Sequence, residues 1–453
     1  MDLPLPAPLG DPLPAPLGGD SLHPETLAIS HGYDPHAWFG SAKPPLVLTS
    51  TFVYRSAQHA KEAHAAFFRS DGPAPGEESG FIYARLDHPN LAMVQRRVAA
   101  LDGAEDCACF ASGMAAVTAL LLAFARPGDS VLHTRPIYGG VDWMLGTQLA
   151  EWGLRATGIE DALSEASAWA AAERAMAEGP VALIVAETPA NPTAGIADIA
   201  MLACVAERIG EIQGRKPLLV VDNTFLGPFL QAPLHHGADL CLTSLTKYAG
   251  GHSDFLAGGV SGSRGLVGAL KRLRTMLGSA LDPHGCWLLL RSLETMALRT
   301  ERAGENAARV AAFLRGHPKV SGVTYLGFLP AGSPGCAVYA RQCKGAGSTF
   351  SFTIRGGEAE AFRLLDQLRV LRLAVSLGGT ETLICHPAST THYPVPRERR
   401  EAMGIHDGTL RVSVGLEHAD DLVRDLTQAL DAVPDAAGPP AHGSALPPPR
   451  GCV

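Results

Sequence analysis

The chain has no sustained cluster of lysine or arginine, no CxxC pair and no His/Cys spacing typical of a zinc site. With a net charge of −8 at pH 7, this excludes nucleic acid and an anionic membrane as main partners. The nine cysteines are scattered, which predicts reduced thiols in a cytoplasmic protein and no metal ligand set. No basic segment followed by an apolar core opens the chain, so no secretion signal is expected. Uncharged residues do run from Cys107 to Ala125, close to membrane-span length, but Ser112 and Gly113 divide them into a strand and a helix.

Core-forming material is ample: 453 residues, 46% hydrophobic and 18% charged, are enough for two or three domains of a compact enzyme. PLPAPLG occurs twice, at 4–10 and 12–18, and builds no core, so residues 1–22 are expected to be a disordered extension. Between residues 88 and 287 apolar strand-like runs alternate with Ala- and Leu-rich helical segments, as in a parallel sheet with helices on both faces. Candidate strands are Ser130–His133, Val181–Ala186, Leu218–Val221 and Leu240–Thr243. A long helical stretch from Trp287 to Arg315 leads into a smaller α/β domain, 288–435. Its clearest strands are GSTFSFTI and TLRVSVGL, and the Pro/Gly/Ala-rich segment 436–453 is expected to be disordered.

The most informative segment is SLTKYAGGHSD, Ser244 to Asp254. It sets Lys247 between hydroxyl residues, after an apolar run and before paired glycines. A lysine amine condenses with a carbonyl only when deprotonated, and Ser244 and Thr246 can donate to a phosphate beside it. That pattern suits a lysine carrying pyridoxal 5′-phosphate (PLP); taken alone it suits a surface lysine in a Gly-rich loop equally well. The balance shifts at LLVVDNTF, where Leu218–Val221 run into Asp222. A buried strand ending in an acid delivers a carboxylate to the sheet edge, where it can pair with a pyridinium nitrogen and make the ring an electron sink. An Asp capping the next helix is the alternative.

With these residues in place, the chain from about His23 to Val433 resembles the Cys/Met-metabolism family of PLP enzymes, most closely its methionine γ-lyase branch. The resemblance implies an aminotransferase-like fold of type I, with a large parallel or mixed-sheet domain and a smaller C-terminal α/β domain, assembled as a homotetramer. In YARL, Tyr83 and Arg85 match residues that hold the phosphate in a neighbouring subunit, which makes residues 23–87 an intersubunit arm. In ASGMAA, Gly113 and Met114 offer helix N-terminal amides to the phosphate. Tyr138 in RPIYGGVDW matches the ring that stacks on the pyridine and serves as acid/base at the leaving group. Asn191 in ETPANPT matches the partner of the cofactor's ring oxygen, and Ser376 and Arg411 match the holders of the α-carboxylate.

What this implies is α,γ-elimination from L-methionine, with Lys247 moving the α-proton. Val375 stands where cystathionine-handling relatives tend to carry an acid that reads the distal amine, so its apolar side chain favours methionine or an O-acylhomoserine. HPAST, His386 to Thr390, also resembles the γ-lyase and sulfhydrylase branches. Gly140 departs from the cysteine of well-known γ-lyases. That keeps open γ-replacement, as in O-acylhomoserine sulfhydrylase or cystathionine γ-synthase, and a cystathionine lyase. A PLP carrier without turnover has no use for Tyr138, Ser376 and Arg411 together. GAGSTF, Gly345 to Phe350, lacks the lysine of a nucleotide-binding phosphate loop.

Overall fold

Strands form where the sequence concentrates apolar residues. They are β1 (Asp106–Phe110), β2 (Ser130–Thr134), β3 (Arg155–Ile159), β4 (Val181–Glu187), β5 (Leu218–Asp222), β6 (Leu240–Thr243), β7 (Gly258–Gly262), β8 (Val320–Thr324), β9 (Thr349–Ile354), β10 (Arg372–Leu373), β11 (Leu383–Cys385) and β12 (Thr409–Ser413). The computed structural model describes residues 22–69 and 80–434. The segments expected to be disordered, residues 1–22 apart from Leu22 and residues 436–453, lie outside them.

The chain packs as two compact units. The first comprises residues up to Phe124, Asp239–Gly250 and Asp254–Ala297; the second comprises Ala125–Ala238, Gly251–Ser253 and Leu298 onward. In the first, β7 pairs antiparallel with both β1 and β6. The expected parallel or mixed sheet of residues 88–287 is mixed, and β7 is where it turns antiparallel: the connection from β6 to β7 contains no helix, and a parallel pair needs a crossover. Buried Arg274 ties this unit together, donating to Gln95 Oε1 (2.7 Å), Cys109 O (2.7 Å) and Leu86 O (3.1 Å).

In the second unit β3, β2, β4 and β5 are neighbours in that order and all parallel. Helices Glu165–Glu178 and Ile199–Gln213 cover the sheet. Ala168, Ala171, Ala172 and Ala175 bring the first of these close to Leu132, Ile184 and Val221. A second sheet of order β10-β11-β12-β9-β8 packs Phe350, Phe352, Leu410 and Val412 against Ala307, Val310, Leu314, Leu422 and Leu426. Each fully buried Leu, Val or Phe in such a core contributes about 1.5–3 kcal/mol.

The expected single helix 287–315 is two, Pro283–Leu293 and Met296–Gly316. Their apolar stripes serve different cores, Leu289, Leu290 and Leu293 in one and Ala307, Val310 and Leu314 in the other. A turn between them re-aims the stripe. Among the described residues no helix is long and apolar enough to cross a membrane. Among the described residues Cys107, Cys109, Cys204, Cys241, Cys286, Cys343 and Cys385 are free thiols, whereas Cys336 is disulfide-bonded, which corrects the expectation of reduced thiols at that position.

Candidate active site

In the first unit β6 runs directly into the lysine turn. The amide of Lys247 donates to Ser244 O (3.0 Å) and that of Gly250 to Leu245 O (2.8 Å). The turn lies against the N-terminus of helix Gly113–Phe124. A Cβ on Gly113 would sit 3.0 Å from Ser244 Oγ and 3.1 Å from Ser244 Cβ, so glycine is what lets the hydroxyl and the helix start approach. Ser112 Oγ accepts the amide of Ala115 (3.1 Å). Gly113 and Met114 stand ahead of it, in the first turn, where amides have no intrahelical acceptor. A helix start with an adjacent hydroxyl is the chemistry a phosphate needs.

Thr246 does something the sequence did not indicate. Its hydroxyl donates to Ala257 O (3.0 Å) and accepts from Ala257 N (2.9 Å), pinning the lysine turn to the chain ahead of β7. Tyr83 forms an isolated bridge with Thr51 and is 42% exposed. Arg85 is exposed. Its Nη1 donates to Thr275 O (2.5 Å), and its guanidinium lies 5.8 Å from the centre of the Tyr83 ring.

In the second unit the carboxyl ends of β4 and β5 put Glu187 and Asp222 in register. Thr224 donates to Asp222 Oδ1 through its amide (2.9 Å) and its hydroxyl (2.5 Å). Burial nevertheless holds Asp222 above the usual carboxylate range. A pyridinium nitrogen beside such a carboxyl would favour its charged form. Glu187, 5% exposed, is pushed up to about 8 by burial and then by the charge of Asp222, against the pull of two amides. Those amides are Tyr138 N, to Oε2 (2.6 Å), and Asn191 N, to Oε1 (2.7 Å).

Tyr138 leads into helix Gly139–Gly146 with its ring 40% exposed. Gly139 allows the close approach of residues 391 and 392, since a Cβ there would lie 2.4 Å from Thr391 O. Asn191 Oδ1 accepts Arg411 Nη1 (3.1 Å), and Arg411 Nη2 donates to Ser376 O (2.7 Å). Arg411 is 2% exposed, and its Nε has no partner. Ser376 has φ +89°, a strained conformation for a residue with a side chain. Val375 beside it is 53% exposed.

Two residues that the sequence reading passed over belong to this constellation. Glu187 carried the signal used for Asp222, an apolar strand ending in an acid. His392 is buried and pulled down to about 4, by burial first and by the Arg411 charge second. Its Nδ1 meets Thr391 Oγ1 (3.0 Å), and the backbone of Asn191 and of Ile137 faces the ring. A cavity of about 510 Å³ in the same unit is walled by Glu187, Thr134, Ala190, Thr193 and Leu326 but not by Tyr138, Asp222 or Arg411.

The chain is similar along nearly its whole length to proteins of known activity. It is 38% identical to the L-methionine gamma-lyase of Pseudomonas putida over 409 residues, 90% of this chain and 97% of that protein. It is 37% identical to the cystathionine gamma-lyase of Sus scrofa over 412 residues, 90% and 94% of the two chains. Among solved structures, cystathionine gamma synthase from Xanthomonas oryzae pv. oryzae, in complex with cystathionine, superposes with TM-score 0.79 at 36% identity. That match covers 91% of this chain and 99% of the other, so the mixed α/β fold with a large and a smaller sheet is shared. A family model described as Cys/Met metabolism PLP-dependent enzyme matches residues 25–431, and the chain therefore belongs to that family of PLP-dependent enzymes.

Proposed function

We propose that the protein carries out α,γ-elimination on L-methionine, in which methionine and one water give 2-oxobutanoate, ammonia and methanethiol. The observation that carries this is Arg411. A guanidinium almost wholly buried beside Asn191 and Ser376, with Nε unused, is the anchor an amino-acid carboxylate needs. Bound PLP supplies the electron sink that makes protons at Cα and Cβ removable. Gly113, Met114 and Ser244 hold its phosphate while Thr246, bound to Ala257, fixes the turn beside it; Asp222 faces its ring nitrogen, Tyr138 covers its face and Asn191 meets its ring oxygen. The amine of Lys247 takes the proton from the substrate's Cα, and Tyr138 gives a proton to the departing sulfur. Ser376 and Arg411 keep the α-carboxylate fixed while these protons move.

The protein works as a cytoplasmic dimer of dimers, with Tyr83 and Arg85 serving the phosphate in the partner subunit. Their exposure in the single chain suits that role. Val375 favours methionine over cystathionine, because an apolar side chain leaves a distal ammonium unpaired. A second reading, γ-replacement on an O-acylhomoserine, draws on Gly140 in place of the γ-lyase cysteine. Purified enzyme incubated separately with methionine, cystathionine, and O-acetylhomoserine plus sulfide separates the readings. Fastest release of 2-oxobutanoate from methionine supports elimination; thioether or homocysteine formation that outpaces it supports replacement.

A further inference from the structure

Tyr138 and Asn191 follow the ends of two different strands, β2 and β4, and nothing in either local sequence couples them. Glu187 does. Its Oε2 accepts the amide of Tyr138 at 2.6 Å and its Oε1 the amide of Asn191 at 2.7 Å, while its own amide donates to Thr134 Oγ1 at 3.1 Å. We infer that Glu187 is a positioning residue of the cofactor site. One carboxyl group sets the segment bearing the stacking ring and the segment bearing the ring-oxygen partner at a fixed distance from each other and from Asp222. The inference rests on the PLP roles proposed above for Tyr138 and Asn191.

Only a carboxyl group suits this position. Two amides reach the two oxygens, and each needs an acceptor; a carboxyl offers one oxygen to each, whereas a carboxamide offers an oxygen to one and an N–H₂ to the other. The site is also one where a weak tie would not hold, because Glu187 is buried at 5% exposure and water cannot substitute for a lost partner. Register completes the arrangement, with Glu187 opposite Asp222 and Thr188 N donating to Asp222 O (3.3 Å). The clamp and the acid for the ring nitrogen thus stand on neighbouring strands of one parallel sheet.

The test is Glu187→Gln in the full-length holoenzyme, reconstituted from apoprotein with PLP. Loss of one of the two bonds should weaken PLP affinity about tenfold and reduce the visible circular dichroism per bound cofactor, because the ring loses a fixed orientation. Ser130→Ala, which removes a buried bond to Ala175 O (3.0 Å), should lower stability without changing the dichroism per cofactor. Affinity within twofold of wild type together with unchanged dichroism in Glu187→Gln overturns the inference. If that variant does not fold, amide exchange of the wild-type holoenzyme decides. The Tyr138 and Asn191 amides should be slow and similarly protected; unprotected exchange at either one overturns the clamp. Borohydride reduction followed by peptide mapping checks the underlying reading separately. Cofactor fixed on Lys247 leaves the PLP assignment standing whatever the fate of the clamp.

Discussion

A Cβ on Gly140 would lie 2.7 Å from Cε1 and 3.3 Å from Cζ of Tyr138, so the tyrosine ring occupies the space a side chain at position 140 would need. The sequence alone invites Gly140→Cys as a way to restore methionine elimination. The structure changes that expectation, since a cysteine can enter only if the ring of Tyr138, a residue 40% exposed, swings aside.

Gly140→Cys is therefore predicted to displace Tyr138 before it does anything to substrate choice. The visible dichroism of the bound cofactor should change, and kcat for methionine should fall severalfold. Unchanged dichroism with kcat raised would mean that the thiol fits beside the ring and that the contact is unimportant.

Tyr83 and Arg85 lie in the first unit, exposed, with Arg85 donating to Thr275 O and lying over the Tyr83 ring. If they serve the partner's cofactor, Arg85→Ala and Lys247→Ala are complementary defects. Each homo-oligomer should be nearly inactive, and mixtures should regain up to about a quarter of wild-type activity, the statistical share of sites with both native residues in randomly exchanged dimers. Native mass spectrometry must show exchange; exchanged mixtures no more active than the parents would falsify the shared site.

Much of this architecture was legible from local sequence. Val181–Glu187 and Leu218–Asp222 announce themselves because a strand buried on both faces must be apolar throughout and the acid marks where it emerges. Gly113 and Ser244 were legible as types, not as neighbours: their contact depends on β6 ending beside the start of a helix far earlier in the chain. What could not be read was set by long-range geometry. The positive φ of Ser376, the commitment of the Thr246 hydroxyl to Ala257 and the burial of His392 near Arg411 leave no trace in composition or periodicity. Nor does sequence tell a strand-end acid that meets a cofactor from one that clamps two amides, which is why Asp222 was singled out and Glu187 was not.

Asp102 offers a test of packing in the first unit. It is buried and pushed up to about 7 by desolvation, partly opposed by Ser261 Oγ donating to Oδ2 at 2.6 Å. A carboxyl whose pKa is higher folded than unfolded contributes stability fully present below about pH 4, and this is lost as pH rises through 7. Histidines with depressed values, such as His133 and His392, act in the opposite sense below pH 6.5, so the comparison must be differential. Asp102→Asn keeps an acceptor for Ser261 and should gain on wild type as pH rises. Equal urea midpoints near pH 5 should separate at pH 8 by on the order of 1 to 4 kcal/mol in favour of the variant. A constant difference across that range would show that Asp102 is ionised in the fold.

Substrate choice turns on position 375. Val375 follows β10 and precedes the strained Ser376, whose carbonyl holds Arg411, so a side chain here is near the carboxylate anchor along the chain. If it faces the distal end of the substrate, the wild-type enzyme should eliminate from methionine more efficiently than from cystathionine. Val375→Glu should then shift the ratio of kcat/KM toward cystathionine. The residue is 53% exposed in the single chain, so a new ion pair with the distal ammonium is partly screened and worth up to about 1 kcal/mol, roughly a two- to fivefold shift. Raising the ionic strength should erode the shift if it is electrostatic. A wild type that already prefers cystathionine, or a Val375→Glu variant with an unaltered ratio, would remove position 375 from the specificity argument and leave γ-replacement as the better reading.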